Sequence, residues 1–326
     1  MYGSKGVTEK DAAVGRLMGH HGLLVWVGFS VMVVLLMALD LGVLNRRAHV
    51  LSLKEALVWS GSWIALALLF GLFLLFKETP RHALEYYTGY LIELSLSVDN
   101  LFVFILVFQY FAVPAKLQPR VLKWGIIGAV VMRFMMIMVG TLLLQRFAWI
   151  IYVFGAIVIY TGIKMMRSGA ITVHPEKNPV IRLATRLLPF SRSYDGQNFF
   201  TRQNARRLAT PLLLVLLVIE TTDLLFAVDS IPAIFAITRD PFIVYTSNVF
   251  AILGLRSLFF ILSGMLDRFE YLKPAVAGIL IFVGIKMLLS EVVHLPILWS
   301  LGIIVTTLAG GILLSIRKTR RTAAST

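Results

Sequence analysis

Five carboxylates stand inside long apolar stretches: Glu93 and Asp99 in "ELSLSVDN", and Glu220, Asp223 and Asp229 in "IETTDLLFAVDS". An acid at the centre of a membrane-spanning helix costs about 2.5–3.5 kcal/mol on the insertion scale, so each needs a protein interior or water, and a partner. Arg133 and Arg256, also within apolar sequence, are the counter-charges at hand. Five negative charges against two positive leave −3, which a divalent cation and a proton would neutralise. The donors on offer are carboxylates, the Asn100 amide, the hydroxyls of Thr221 and Thr222 and any freed backbone carbonyls. Such hard oxygens suit Mn2+, Mg2+ or Ca2+ rather than copper or a thiolate zinc site.

Other chemistries find less support. The chain has no cysteine, which removes thiolate metal sites, disulfides and thiol redox chemistry. The six histidines fall near the ends of apolar stretches or between them, places that fit an interfacial role better than metal ligation. The methionines of "MRFMMIM" read as core packing. Without a nucleophile motif, an HExxH or a phosphate-binding glycine loop, no enzyme and no catalytic residue is expected. Asp40 stands alone near the end of its stretch, where capping or a snorkelled position accounts for it as well as a metal role does. For Arg133 and Arg256, gating and simple pairing with the acids are equally good accounts.

On an ideal helix Glu93 and Ser97 share one face and Ser95 and Asp99 another, leaving the two carboxylates about 120° apart. Strict alternation is the period of extended backbone, which membrane interiors tolerate where it lines a cavity. Pro232 removes a helical hydrogen bond just after "AVDS". The expectation is therefore irregular helix at 98–100 and 228–230.

The elements that must position these residues are transmembrane helices. Of 326 residues 58% are hydrophobic, and the mean hydropathy is +0.84, far above a soluble domain. Nine windows are long enough to span a bilayer: 22–44, 55–76, 84–112, 121–144, 147–166, 209–237, 242–266, 273–290 and 295–316. The fold class expected is all-α, a polytopic bundle. Twenty-one basic residues fall on one set of connections and seven on the other, which places the N-terminus outside and the C-terminus in the cytoplasm. The net charge of +14 is thus a topology signal and a contact with anionic lipid headgroups, not a nucleic-acid site. The one long polar connection contains "NPVIRLATRLLPF", which reads equally as an amphipathic helix on the cytoplasmic surface or as a plain linker.

Around that connection the sequence repeats. "SVDNLFVF" matches "AVDSIPAI", pairing Asp99 with Asp229, Asn100 with Ser230 and Glu93 with Asp223; Arg133 pairs with Arg256 and "TGIKMM" with "VGIKML". Each copy holds three spans, an odd number, so the second is inverted in the membrane, an arrangement that transporters use to build a site at mid-depth. The organisation expected is 1–83 (tail and two helices), 84–167 (first repeat), 168–208 (basic loop), 209–290 (second repeat) and 291–326 (last helix and tail).

From "ALDLGVLNRRAHVLSLKEALVWS" through "GYLIELSLSVDNLFVF" and "IETTDLLFAVDSIPAIFAITRDPFIVYTSNVFAILGLRSLFF" to the last span, the chain resembles the TerC family of bacterial membrane proteins, the tellurium-resistance and Alx-like proteins. The resemblance implies a nine-helix inner-membrane protein near the lysine-exporter type that moves Mn2+ out of the cytoplasm as a substrate, with no prosthetic group. The family's acidic positions fall on Glu93, Asp99, Glu220, Asp223 and Asp229, with Asn100 beside the first pair. Two rival readings stand beside it: a membrane-embedded partner or assembly factor among other stress-resistance membrane proteins, and an exporter of an organic cation such as lysine.

Overall fold

The computed structural model describes residues 21–40, 52–147, 149–167, 179–191, 193–203, 206–263, 271–289 and 296–324. Among the helical residues, the side chains of Asp99 and Asp229 lie outside that description. The described elements are α1 (Leu23–Ala38), α2 (Leu53–Lys77), α3 (Pro80–Tyr110), α4 (Gln118–Arg146), α5 (Ile150–Arg167), α6 (Pro179–Leu187), β1 (Phe200–Gln203), β2 (Arg206–Ala209), α7 (Pro211–Phe235), α8 (Pro241–Leu253), α9 (Leu255–Ser263), α10 (Leu272–Leu288) and α11 (Ile297–Ala324). The two strands form one antiparallel hairpin.

Helix starts follow the sequence chemistry. Ser52 and Glu55 form a reciprocal capping box at α2. Thr79 caps α3 ahead of Pro80, and Asp240 accepts from the Phe242 and Ile243 amides ahead of Pro241. Proline at the first helical position loses no internal bond, which is why it recurs there.

By length and composition five helices can cross a membrane among the described residues: α2, α4, α5, α7 and 298–318 of α11. Counting α8 and α9 as one broken span makes six; α1 and 274–288 are apolar but shorter. Large apolar side chains such as Leu69, Phe76, Val139 and Leu313 are exposed along the outer helices, as in a protein solvated by lipid. The interior is built on α3, against which α2, α7, α8 and α11 pack. Every residue of α8 is buried, so it is an inner helix, packed by α1 through Trp26 and Phe29 against Phe242 and Tyr245.

Two expectations are corrected here. Both α3 and α7 are continuous α-helix through 98–100 and 228–230, and α7 continues past Pro232 to Phe235. The polar residues do not need an extended backbone, because hydroxyls of Ser95, Thr221 and Thr222 donate to the carbonyls one turn back, at Leu91, Leu217 and Val218. With backbone bonds satisfied internally, helix is the cheaper state in an apolar surround. The stretch 242–266, expected as one span, is instead bent by 43° where α8 meets α9 at Gly254. There the Ser257 hydroxyl draws on the Gly254 carbonyl, and glycine offers little resistance to the bend.

The tightest helix pair is α5 with α10. A Cβ on Gly284 would stand 2.8 Å from the Gly155 carbonyl oxygen, and one on Gly162 would stand 2.9 Å from that of Ala277. Later residues of α5 meet earlier residues of α10, so the pair is antiparallel. When "TGIKMM" is aligned with "VGIKML", Gly162 falls on Gly284, Gly155 on Ala277 and Ile159 on Ile281. Each close approach is thus the other with the two helices exchanged, the Ile281 contact at Gly162 included, which Ile159 repeats at Gly284.

Candidate functional site

Inside the bundle α3, α4 and α7 each contribute one charged residue to a single cluster. Glu93, Arg133 and Asp223 are at most 2% exposed. Arg133 Nη1 donates to the Glu93 carboxylate and, at 2.9 Å, to the Ser230 hydroxyl; Nη2 donates to Asp223 Oδ1 at 3.4 Å. A guanidinium is the side chain suited to this, since its fork holds several oxygens in one plane. One positive charge faces two negative ones. Glu93 Oε2, Asp223 Oδ2 and Arg133 Nε remain without a hydrogen-bond partner, as does the nearby Ser97 hydroxyl on α3. Asn100, buried, lies two turns beyond Glu93 on the same helix.

The other expected acids divide differently. Asp99 and Asp229 occupy matching places, each six residues or about 9 Å along its helix from Glu93 and Asp223. Glu220 is only half-buried, so it is not part of the fully buried inventory. Its carboxylate rests directly on Gly128 of α4, where any Cβ would overlap it. Asp40 is buried at the end of α1 and faces Arg256 Nη1 at 3.8 Å. The two arginines that align in the repeat therefore serve different acids. Among the described residues no group of three His, Asp or Glu side chains is arranged to hold a metal ion.

Sequence reasoning missed two features. Asn248 on α8 is fully buried with neither amide atom hydrogen-bonded. The polar run "YTSN" inside an apolar span was the signal available for it. A second charged group lies where the α2–α3 and α7–α8 connections meet. His21 faces Asp240 at 3.3 Å and Glu78 at 3.7 Å, and Glu78 also faces His82 at 3.6 Å. Beside it Glu85 accepts from Arg81 at 2.8 Å and from the Thr238 hydroxyl at 2.6 Å. His21, just ahead of α1, is thus buried in the protein and paired with acids of these connections. Asp240 raises the His21 pKa against the opposing effect of burial. Burial pushes Asp240 upward, but His21 and the Phe242 and Ile243 amides outweigh it and hold the carboxylate below its usual range.

A helical bundle with lipid-facing apolar surfaces and a buried charge cluster defines an integral multi-pass membrane protein. The family description "Integral membrane protein TerC family" matches residues 78–323, and the chain belongs to that family. It is 49% identical over 308 residues to an uncharacterized membrane protein of Myxococcus xanthus, covering 94% of this chain and 96% of that one. It is 47% identical over 290 residues to the Escherichia coli K12 protein named "Putative membrane-bound redox modulator Alx", covering 86% and 90% respectively. An uncharacterized membrane protein of Rickettsia felis is 42% identical over 291 residues. No solved structure matches the chain.

Proposed function

We propose that this protein is an inner-membrane transporter exporting a divalent cation, Mn2+ before others, through an acidic site between two inverted three-helix repeats. One observation carries the reading: Glu93 of the first sequence copy and Asp223 of the second converge on one buried arginine, each with a carboxylate oxygen to spare. A cluster held by both copies is the kind of site that relative movement of the copies would open and close. The exchanged glycine contacts of α5 and α10 support the inversion, because an antiparallel pair of equivalent helices is what a two-fold axis in the membrane plane produces.

Asp99, Asp229, Glu220 and Asn100 complete the hard-oxygen donor set, with Arg133 and Arg256 as charge partners and Asp40 as partner to the second arginine. A carboxylate that takes a proton as the metal leaves would couple efflux to proton entry. Nine spans, an outer N-terminus and a cytoplasmic C-terminus follow from the apolar windows and the bias of basic residues. The Escherichia coli relative's name speaks of redox modulation; this chain, without cysteine, has no thiol–disulfide exchange to offer.

The test is Mn2+ flux into liposomes by purified wild type, Asp99→Asn and Asp229→Asn, after each is shown to be equally folded. Flux is expected in wild type and absent from both variants. Folded wild type that moves no Mn2+ under a proton gradient of either sign would end the transport reading and favour a membrane-embedded assembly partner. Competition by lysine rather than by other divalent cations would reassign the substrate.

A further inference from the structure

One end of the bundle gathers arginines that the charge cluster does not use. Helix α6 packs against α7 and buries Ile181, and its remaining surface carries two stripes. Arg182 and Arg186 form one; Leu183 and Leu187, 57% and 70% exposed, form the other about 100° round the helix. A short helix with arginines beside outward leucines is built for the boundary between headgroups and acyl chains.

The hairpin that follows α6 supplies an independent observation. In its register Arg202 stands directly opposite Arg207, and Gln203 opposite Arg206. Like charges facing each other across strands destabilise the pair unless an anion lies between or over them. The nearby aromatic rings do not supply that charge: Arg207 lies over Phe200 at 4.6 Å, and Arg120 over Phe199 at 5.8 Å. In the described parts of 111–128 and 179–211 eight basic residues face a single carboxylate, Asp195.

Hydrogen bonds fix this surface to the bundle. The Tyr194 hydroxyl donates to the Phe111 carbonyl at the end of α3, and Thr210, which precedes α7, donates to the Asn198 carbonyl. The arginines therefore sit at the end of the bundle where α3 finishes and α7 begins.

We infer that α6 and the β1–β2 hairpin form a docking surface for anionic phospholipid headgroups. Guanidinium forks take the headgroup phosphates, Leu183 and Leu187 enter the acyl boundary, and lipid charge separates Arg202 from Arg207. The assignment does not rest on the transport reading.

Hydrogen exchange of the full chain tests it in nanodiscs of phosphatidylcholine alone and of phosphatidylcholine mixed with phosphatidylglycerol. Phosphatidylglycerol is expected to slow exchange in 179–187 and 199–209, and added salt to reverse the slowing. Arg182→Gln with Arg186→Gln should abolish the lipid dependence at α6 while the melting temperature in detergent stays as in wild type. Loss of each arginine should weaken the anionic-lipid effect about fivefold.

Arg202→Gln is the sharper variant, because its effect reverses sign. It relieves the facing charges and slows hairpin exchange in phosphatidylcholine, but speeds it relative to wild type when phosphatidylglycerol is present. Equal exchange in the two lipids would overturn the inference. So would protection that appears only on adding RNA, which would assign the arginines to a nucleic-acid partner.

Discussion

Arg133 gives the most direct handle on the buried cluster, since it is the common partner of Glu93, Asp223 and Ser230. Arg133→Met keeps much of the volume and removes the one positive charge that, among the described residues, is bonded to the two acids. Taking one member from a buried ion pair typically costs about 3–5 kcal/mol, because the remaining charge is left uncompensated. Here two carboxylates are left, which puts the expectation at the upper part of that range. At about 2–4 °C per kcal/mol, a loss of about 4–5 kcal/mol corresponds to a fall of about 8–20 °C in melting temperature. Glu93→Gln should cost much less, because Arg133 then neutralises Asp223 alone and no net buried charge remains. In the double variant the neutral amide at position 93 places no second charge beside the unpaired Asp223, so the costs will not add: the pair should be more stable than Arg133→Met by itself. Thermal unfolding of the purified protein in detergent, run as a double-mutant cycle, measures these terms. A loss below about 1 kcal/mol for Arg133→Met, the worth of an exposed surface pair, would refute the argument that this cluster is dry and mutually dependent.

Three further expectations follow from contacts elsewhere. Gly284→Ala drives a Cβ against the Gly155 carbonyl and Ile159, and should cost about 1–3 kcal/mol as an overpacked contact. Gly278→Ala, on the same helix with nothing within 4 Å of the new Cβ, should be neutral or gain up to about 1 kcal/mol. Equal melting temperatures for the two variants would contradict the close approach of α5 and α10. Gly128→Ala displaces the half-buried Glu220 carboxylate, the far end of a flexible side chain, so on the transport reading Mn2+ flux should drop while the melting temperature barely moves; unchanged flux would remove Glu220 from the path. The His21–Asp240 pair makes stability depend on pH in a stated direction. His21, raised on folding, contributes fully below its unfolded value of about 6.5 and loses that contribution as pH rises through the folded pKa. Asp240, lowered on folding, contributes above its unfolded value and loses it as pH falls through the folded one. The window of greatest help lies between the two unfolded values, about 3.8 for Asp240 and about 6.5 for His21, and His21→Gln should flatten its alkaline edge in a melting-temperature titration.

Why some of this was legible in sequence and some was not is a matter of which energies a sequence displays. An acid within an apolar run announces a buried partner, because no other arrangement is affordable in hydrocarbon, and Glu93, Asp223 and Arg133 were readable on that ground alone. The alternation of "ELSLSVDN" pointed to unwound backbone only because serine can be satisfied in two ways; the bond from Ser95 to Leu91 took the helical one. Asp40 and His21 gave no periodic signal, and their partners, Arg256 and Asp240, lie more than two hundred residues away, so only the fold brings them together. The seat of Glu220 was equally hidden, since a glycine such as Gly128 in a membrane helix has many causes.

The arginines carry this one step further. Sequence alignment makes Arg133 and Arg256 equivalents, yet Arg133 holds two acids and a hydroxyl while Arg256 faces the single carboxylate of Asp40 at 3.8 Å. Two copies in identical surroundings would define one symmetric state, whereas alternating access needs two unequal states that exchange. On the transport reading, this inequality marks one of the two, and Asp40→Asn should then shift the balance between them without touching the central acids. Its expected signature is altered Mn2+ flux with metal affinity at equilibrium nearly unchanged. A fall in affinity as large as that caused by Asp99→Asn would instead make Asp40 a ligand, and the two arginines would lose their division of roles.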